Sequence, residues 1–393
     1  MKESPCFQMV KYFEREDDSV RKKVIVAGHI CLDITPIFPD EKKKMVSDIL
    51  KPGKLIEMNA ADVHTGGVVA NTGLAMKILG ADVSLMGKVG NDAFGDMVCS
   101  ILRKYDAEEG VIRSDKESTS YSVVLAIPGV DRMFLHHPGA NHTFCAEDIS
   151  MKSLQEAALF HFGYPPLMRS MYRNNGSELL TLFQKAKLAG CATSLDLAMV
   201  DPESEAGKVD WNQILERVIP YVDFFVPSVE ELCFMLEPNR FKDLQRRANG
   251  KDITEVIEIE RDVKPLVQKC MEYGAKILVI KCGAAGMYYC TTDSLSEISD
   301  IGTRIELNPH DWVGKEGFEK SYVPEKVLSG TGAGDTSIAA FLTAMLEGEP
   351  LENCMHLAAA TGAVCVASYD ALSGLKPLNE LQEKMQSGWE KSN

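Results

Sequence analysis

The 393 residues are 45% hydrophobic and 25% charged, the proportions of an ordinary soluble globular protein. A formal net charge of −15 argues against nucleic acid or an anionic membrane as partner, because both call for clustered Lys and Arg, and no run approaches the length of a membrane span. Eleven scattered cysteines without a C-x-x-C pair fit reduced thiols in a cytoplasmic protein better than a disulfide framework or a zinc site.

Residues 1–22 read as a polar extension without an apolar signal-peptide core, and 23–393 as a single α/β domain. Val24-Ile25-Val26-Ala27-Gly28 is a β-branched run ending in glycine, the pattern of a buried first strand. Asp33 lies just beyond it, where open α/β sheets place ligand contacts and where Asp is also a common turn former. From Thr35 to His64 the chain is polar and turn-rich, with the Asp40–Lys44 charge run and a short apolar stretch at Leu55-Ile56-Glu57-Met58, and it reads as short strands outside the main sheet. Gly66-Gly67 then open a helix that carries Asn71, Leu74 and Ile78 and stops at Gly80.

A strand at Val83–Gly87 and a helix ending near Lys104 continue a β/α alternation that implies a parallel sheet. Tyr121–Ile127, a Pro128-Gly129 turn and Arg132–His136 break it as a hairpin. Segments 34–65 and 118–140 are paired as a small β lid. Strands at Ala158–Phe162, Thr193–Leu197 and Tyr221–Val226 restore the alternation, with a helix at Glu178–Ala189. Ser228-x-x-Glu231 matches a capping box. Glu237–Asp262 reads as a polar insertion, Lys276–Tyr289 as strand, glycine turn and strand, and Asp293–Glu325 as irregular.

Next comes Ser329-Gly330-Thr331-Gly332-Ala333-Gly334-Asp335, feeding a helix with Ile338, Phe341, Leu342 and Met345 on one face. Glycines at a helix start admit a tight turn and close approach of an anion to unpaired N–H groups. Asp335 beside them is either an N-cap or a base next to a group that gains charge during reaction. Two helices, Leu351–Ser368 and Leu378–Trp389, close the chain.

Several chemistries are excluded. No Gly-Lys pair is followed by Ser or Thr, so there is no Walker A loop, and the first strand offers only Gly28 where a dinucleotide fingerprint needs three glycines. His136, His137 and His142 lack the supporting ligand pattern of a metal site.

Gly66-Gly67-x-x-x-Asn71 near one end and Gly332-Ala333-Gly334-Asp335 near the other resemble the two signature motifs of the ribokinase-like (PfkB) carbohydrate kinases. Val89–Gly95, Gly139-Ala140-Asn141 and Gly283-Ala284-Ala285-Gly286 match in order and spacing, so the resemblance spans Lys23 to Leu375. It implies a three-layer α/β/α fold with a mostly parallel sheet and a small β lid. It also implies transfer of the γ-phosphoryl group of ATP, with Mg²⁺, to a hydroxyl of a small sugar or polyol. Asp335 would be the base and the amides of Gly332, Ala333 and Gly334 the anion hole. Asp33, Gly66, Gly67, Asn71 and Asn141 would contact the sugar. Lys281, Gly283, Gly286, Thr331, Gly332 and Gly334 would line the nucleotide groove with the Ala358–Val366 helix, and Glu231 would be linked to Mg²⁺ through water. A monovalent cation is a further candidate, and the lid edge is a candidate homodimer surface.

The chain departs from the family pattern at Ser329-Gly330, where an acidic or amide residue and Thr are frequent, and at Ser228, where the Mg²⁺-linked motif has Asn. Val68 and Val69 put no positive charge beside Gly67, which disfavours a phosphorylated sugar, although Lys88 and Arg132 are candidate sources. A nucleoside kinase of the same fold and a catalytically silent sugar sensor are the alternatives.

Overall fold

A computed structural model describes residues 22–39, 46, 51–127 and 133–392; the extension through residue 21, the Asp40–Lys44 run, the Pro128-Gly129 turn and Arg132 lie outside the described residues. The strands are β1 (Lys23–Gly28), β2 (Cys31–Thr35), β3 (Asp62–Gly66), β4 (Asp82–Met86), β5 (Lys88–Gly90), β6 (Ile112–Ser114), β7 (Tyr121–Leu125), β8 (Met133–His137), β9 (Leu159–Gly163), β10 (Ala192–Asp196), β11 (Phe224–Phe225), β12 (Ile277–Lys281), β13 (Gly286–Thr291) and β14 (Glu316–Lys320).

Eight of them form one sheet in the order β14-β13-β12-β11-β10-β9-β1-β4, parallel from β12 to β4 and antiparallel at β13 and β14. Alternation along β1 shows why its sequence is apolar throughout. Val24 and Val26 enter the core shared with the Val68–Ile78 and Ala333–Leu346 helices, while Ile25 and Ala27 enter the core on the opposite face with Phe160, Phe183 and Leu232. A strand covered on both faces needs apolar residues at every position. The result is three layers, helix on sheet on helix.

A second sheet, ordered β3-β2-β7-β8, stands apart from the first and aligns Cys31 with Gly66 and Asp33 with His64. The chain enters it at Cys31, earlier than expected. Strands β5 and β6 form a separate pair.

Four expectations need correction. Residues 55–58 form no strand, and Leu55 is exposed, because no strand lies beside it to cover an apolar face. The Asp293–Glu325 stretch is not wholly irregular, since β14 pairs with β13 at the sheet edge. Charged residues hid it: Glu316 and Lys320 are exposed at the sheet edge, and Glu319 is buried but paired with His356 and Lys391. The helix after the glycine motif, Ala333–Leu346, is buried from Asp335 to Leu346 on every side rather than amphipathic. A helix apolar all round belongs in the interior. The long Arg169–Leu188 helix leaves helical geometry at Arg173–Gly176, which is why its sequence pattern starts only at Glu178.

Candidate active site

Parallel strands place their carboxyl ends on one side of a sheet, where ligand crevices of open α/β folds form. Tyr164 follows β9, Asp196 ends β10, Ser228 lies just past β11, and Lys281 ends β12 and bridges to Ser228. The N-terminus of the Ala333–Leu346 helix meets this edge.

Gly332 is the N-cap at φ +73°, a left-handed conformation that favours glycine, and a Cβ there would lie 2.3 Å from the Ala371 Cβ. The Ala333 N–H donates to the Gly330 carbonyl at 3.3 Å. First-turn amides have no acceptor within their own helix and point outward. Asp335 stands in this turn, 6% exposed. It is not the cap. The Tyr164 hydroxyl donates to its Oδ1 at 2.6 Å and Asn71 Nδ2 donates to its Oδ2 at 2.9 Å. Thus the two glycine motifs, far apart in sequence, meet through one amide and one carboxylate.

Tyr164 was not singled out from sequence, and neither was Asp196. Tyr164 holds φ +66°, rare for a residue with a Cβ. Burial first, then the Asp335 and Asp196 carboxylates, push its phenol well above the usual range, so it remains a donor. The signal for both residues was their place at the end of an apolar run, the same signal that marks Asp33.

Asp196 is fully buried, and both its oxygens accept from Lys281 Nζ, at 2.6 and 2.8 Å. Burial alone would depress the Lys281 ammonium; the carboxylates of Asp196, Glu231 and Asp335 outweigh it and hold the ammonium above its usual value. A Cβ on Gly334 would lie 3.3 Å from Lys281 Cδ and 3.9 Å from Nζ, so the cation stands beside the helix N-terminus. Glu231 is 8% exposed, and its Oε2 accepts the Ser228 N–H at 2.6 Å while Ser228 Oγ accepts the Glu231 N–H at 3.3 Å. The capping box is present, and it fixes the carboxylate within electrostatic reach of Lys281.

On the other side, Asp33 packs against Gly66, where a Cβ would sit 2.0 Å from Asp33 Oδ2. Cys31 Sγ donates to Asp33 Oδ1 at 3.2 Å. Gly67, at φ +85°, is the N-cap of the Val68–Ile78 helix that carries Asn71. Asn141 is bonded to backbone. Its Nδ2 donates to the carbonyls of Ile30 and Pro138 at 2.9 and 3.2 Å and its Oδ1 accepts the Ile30 N–H at 3.2 Å, so its amide is taken up in fixing the loop between β1 and β2.

Gly283 and Gly286, expected at a nucleotide groove, have packing reasons of their own. A Cβ on Gly286 would lie 2.0 Å from the Glu319 carbonyl on β14, and one on Gly283 would lie 2.5 Å from Thr254 Oγ1. The 237–262 insertion therefore abuts the Gly283 turn. Thr331 Oγ1 is buried without a partner among the described residues, which suits a hydroxyl waiting for a polar ligand. Lys88 is bonded to Asp148 and to the Thr143 carbonyl, which leaves it committed elsewhere. His136 and His137 bond Ser122 and Ser118, and no group of three or more His, Cys, Asp or Glu placed to hold a metal occurs among the described residues. No helix among them is long and apolar enough to cross a membrane.

Known proteins share this fold. The ribokinase of Arabidopsis thaliana, solved with ribose and ATP, superposes with a TM-score of 0.66 at 20% identity, over 93% of this chain and 98% of that one. Fold and relatives together define a carbohydrate kinase. The chain belongs to the pfkB family carbohydrate kinases, whose model matches residues 21–377. Among curated relatives it is 25% identical to the probable fructokinase-7 of Arabidopsis thaliana over 350 residues, 85% of this chain and 87% of that protein. It is 24% identical to a 5-dehydro-2-deoxygluconokinase of Clostridium perfringens over 373 residues, 94% of each chain.

Proposed function

We propose that this kinase transfers the γ-phosphoryl group of ATP to a hydroxyl of a small, uncharged sugar or polyol, with Asp335 as the base. One observation carries the reading: Asp335 is held by Tyr164 and Asn71 in the first turn of a helix, with Lys281, itself paired with Asp196, beside Gly334. Phosphoryl transfer passes through a loose transition state, so positioning and neutralisation of oxygen charge do most of the work. The acceptor hydroxyl would approach Asp335 from the side of Asp33, Gly67 and Asn71. Its oxygen bonds to the γ-phosphorus, the bond to the ADP oxygen breaks, and the hydroxyl proton passes to an Asp335 oxygen. The Gly332–Gly334 turn and Lys281 face the transferred group. Thr331 and the Gly283–Gly286 turn flank the nucleotide.

Glu231 is the residue that would hold a Mg²⁺ ion, directly or through water, and the ion would supply neutralisation of phosphate charge. Glu231 supplies the hard oxygen donor such an ion prefers, and a single carboxylate is enough where substrate phosphates complete the shell. Glu231→Gln keeps the capping bond to Ser228 and removes the charge. It is expected to raise the Mg²⁺ concentration needed for half-maximal rate about tenfold, which corresponds to ~1.4 kcal/mol; an unchanged Mg²⁺ titration would remove Glu231 from this role.

ATP turnover over D-ribose, D-fructose, myo-inositol and adenosine, with calorimetric binding of each in parallel, tests the reading. Turnover with at least one sugar or polyol is expected. Binding of a sugar without turnover of any would make the chain a sensor, and turnover of adenosine alone would make it a nucleoside kinase.

A further inference from the structure

His29 is unused by the chemistry above. It follows β1, is 2% exposed, and neither ring nitrogen has a hydrogen-bond partner among the described residues. A buried polar group left unpaired is costly and calls for an explanation. Its surroundings give one. A Cβ on Gly67 would lie 2.6 Å from His29 Nδ1, so the ring faces the glycine turn that opens the Asn71 helix. Its centroid is 5.2 Å from that of His136 on β8 and 6.1 Å from that of Tyr164, the residue bonded to Asp335. The ring therefore lies among the small sheet, the glycine turn and the partner of the base.

Charge narrows the class of ligand. Burial first, then His136 and His142, hold the His29 imidazole well below its usual pKa, which leaves it neutral at pH 7. A neutral imidazole has one donor and one acceptor nitrogen, and a hydroxyl both donates and accepts. A carboxylate or phosphate dianion only accepts, so it would pair with one ring nitrogen and leave the other unpaired. The backbone is fixed too: the His29 carbonyl accepts the Val69 N–H and its N–H donates to the Gly163 carbonyl.

We propose that His29 is a specificity-determining residue of the acceptor site, its ring nitrogens pairing with a hydroxyl of an uncharged polyol next to the hydroxyl that is phosphorylated. This rests on the kinase reading above. A site built to bond a hydroxyl rejects the analogue that lacks it by about 10⁴-fold, because the protein group is then left unpaired again.

The test uses the best acceptor found among D-ribose, D-fructose and myo-inositol, together with its single-deoxy analogues. In the wild type one deoxy position is expected to cost kcat/KM about 10³-fold or more. In His29→Leu that discrimination should fall below about tenfold, with the parent acceptor weakened and the analogue unchanged or improved. His29→Asn, which keeps a donor and an acceptor and is smaller, should retain part of it and serves if the leucine variant does not fold. Turnover in the wild type with discrimination preserved in full in the folded leucine variant, or in the asparagine variant where leucine does not fold, overturns the His29 role alone. A wild type that phosphorylates no acceptor overturns the kinase reading and this one with it.

Discussion

Asp335→Asn is expected to lower kcat by about 10²–10⁴-fold while binding of acceptor and ATP stays close to that of the wild type. The substitution preserves shape. The new side-chain amide can accept the Tyr164 hydroxyl bond with its carbonyl oxygen, and a flip of the Asn71 amide lets the new amine find an acceptor where Oδ2 formerly received Nδ2 at 2.9 Å. What it cannot do is accept the proton. The helix N-terminus and Lys281 remain, so the phosphate site is intact and the loss falls on turnover rather than on KM. Steady-state kinetics with calorimetry on the same preparation checks this. A fall confined to binding, with kcat unchanged, would mean that Asp335 only binds.

Lys281→Met is expected to harm both stability and rate. Asp196 is fully buried, and Lys281 gives it two short hydrogen bonds. Removing one partner of a buried pair leaves the other uncompensated and costs about 3–5 kcal/mol. The loss should depend on pH in a definite direction. Burial, Glu231 and Asp335 raise the Asp196 carboxyl, to about 7, against the pull of Lys281; without Lys281 it rises further. A carboxyl whose folded pKa exceeds its unfolded value, about 4, favours folding while protonated and loses that contribution as pH rises through the folded pKa. Urea melts should therefore show a small deficit relative to wild type at pH 5 and a large one at pH 8, and Asp196→Asn added to Lys281→Met should recover much of it. A deficit of equal size at both pH values would show that the buried carboxylate is not its cause. Turnover should fall by about 10²-fold as the cation beside Gly334 is lost.

What the sequence disclosed and what it hid follow from the same physics. Gly67 and Gly332 were legible because left-handed backbone needs glycine, and each marks the start of a helix carrying a polar residue of the candidate site. The alternation of buried strands and helices was legible because two-sided burial demands continuous apolar runs. Strand β14 was not, since an edge strand with Glu316, Glu319 and Lys320 looks like any polar segment. The side-chain pairings were hidden for a different reason. Tyr164 meets Asp335, Lys281 meets Asp196 and Asn71 meets Asp335 across long stretches of chain, and no local pattern encodes such a meeting. Asn141, a motif position expected to touch sugar, bonds the Ile30 backbone, a pairing that no local pattern announces either.

The central claim is that Asp335 makes this a sugar-phosphorylating enzyme. ³¹P NMR of ATP, Mg²⁺ and the best acceptor, incubated with wild type and with Asp335→Asn, tests it most directly. With wild type, one phosphomonoester should appear for each ADP formed, and almost none with the variant in the same time. Release of inorganic phosphate without a phosphomonoester, or a variant that keeps pace with the wild type, would contradict the account.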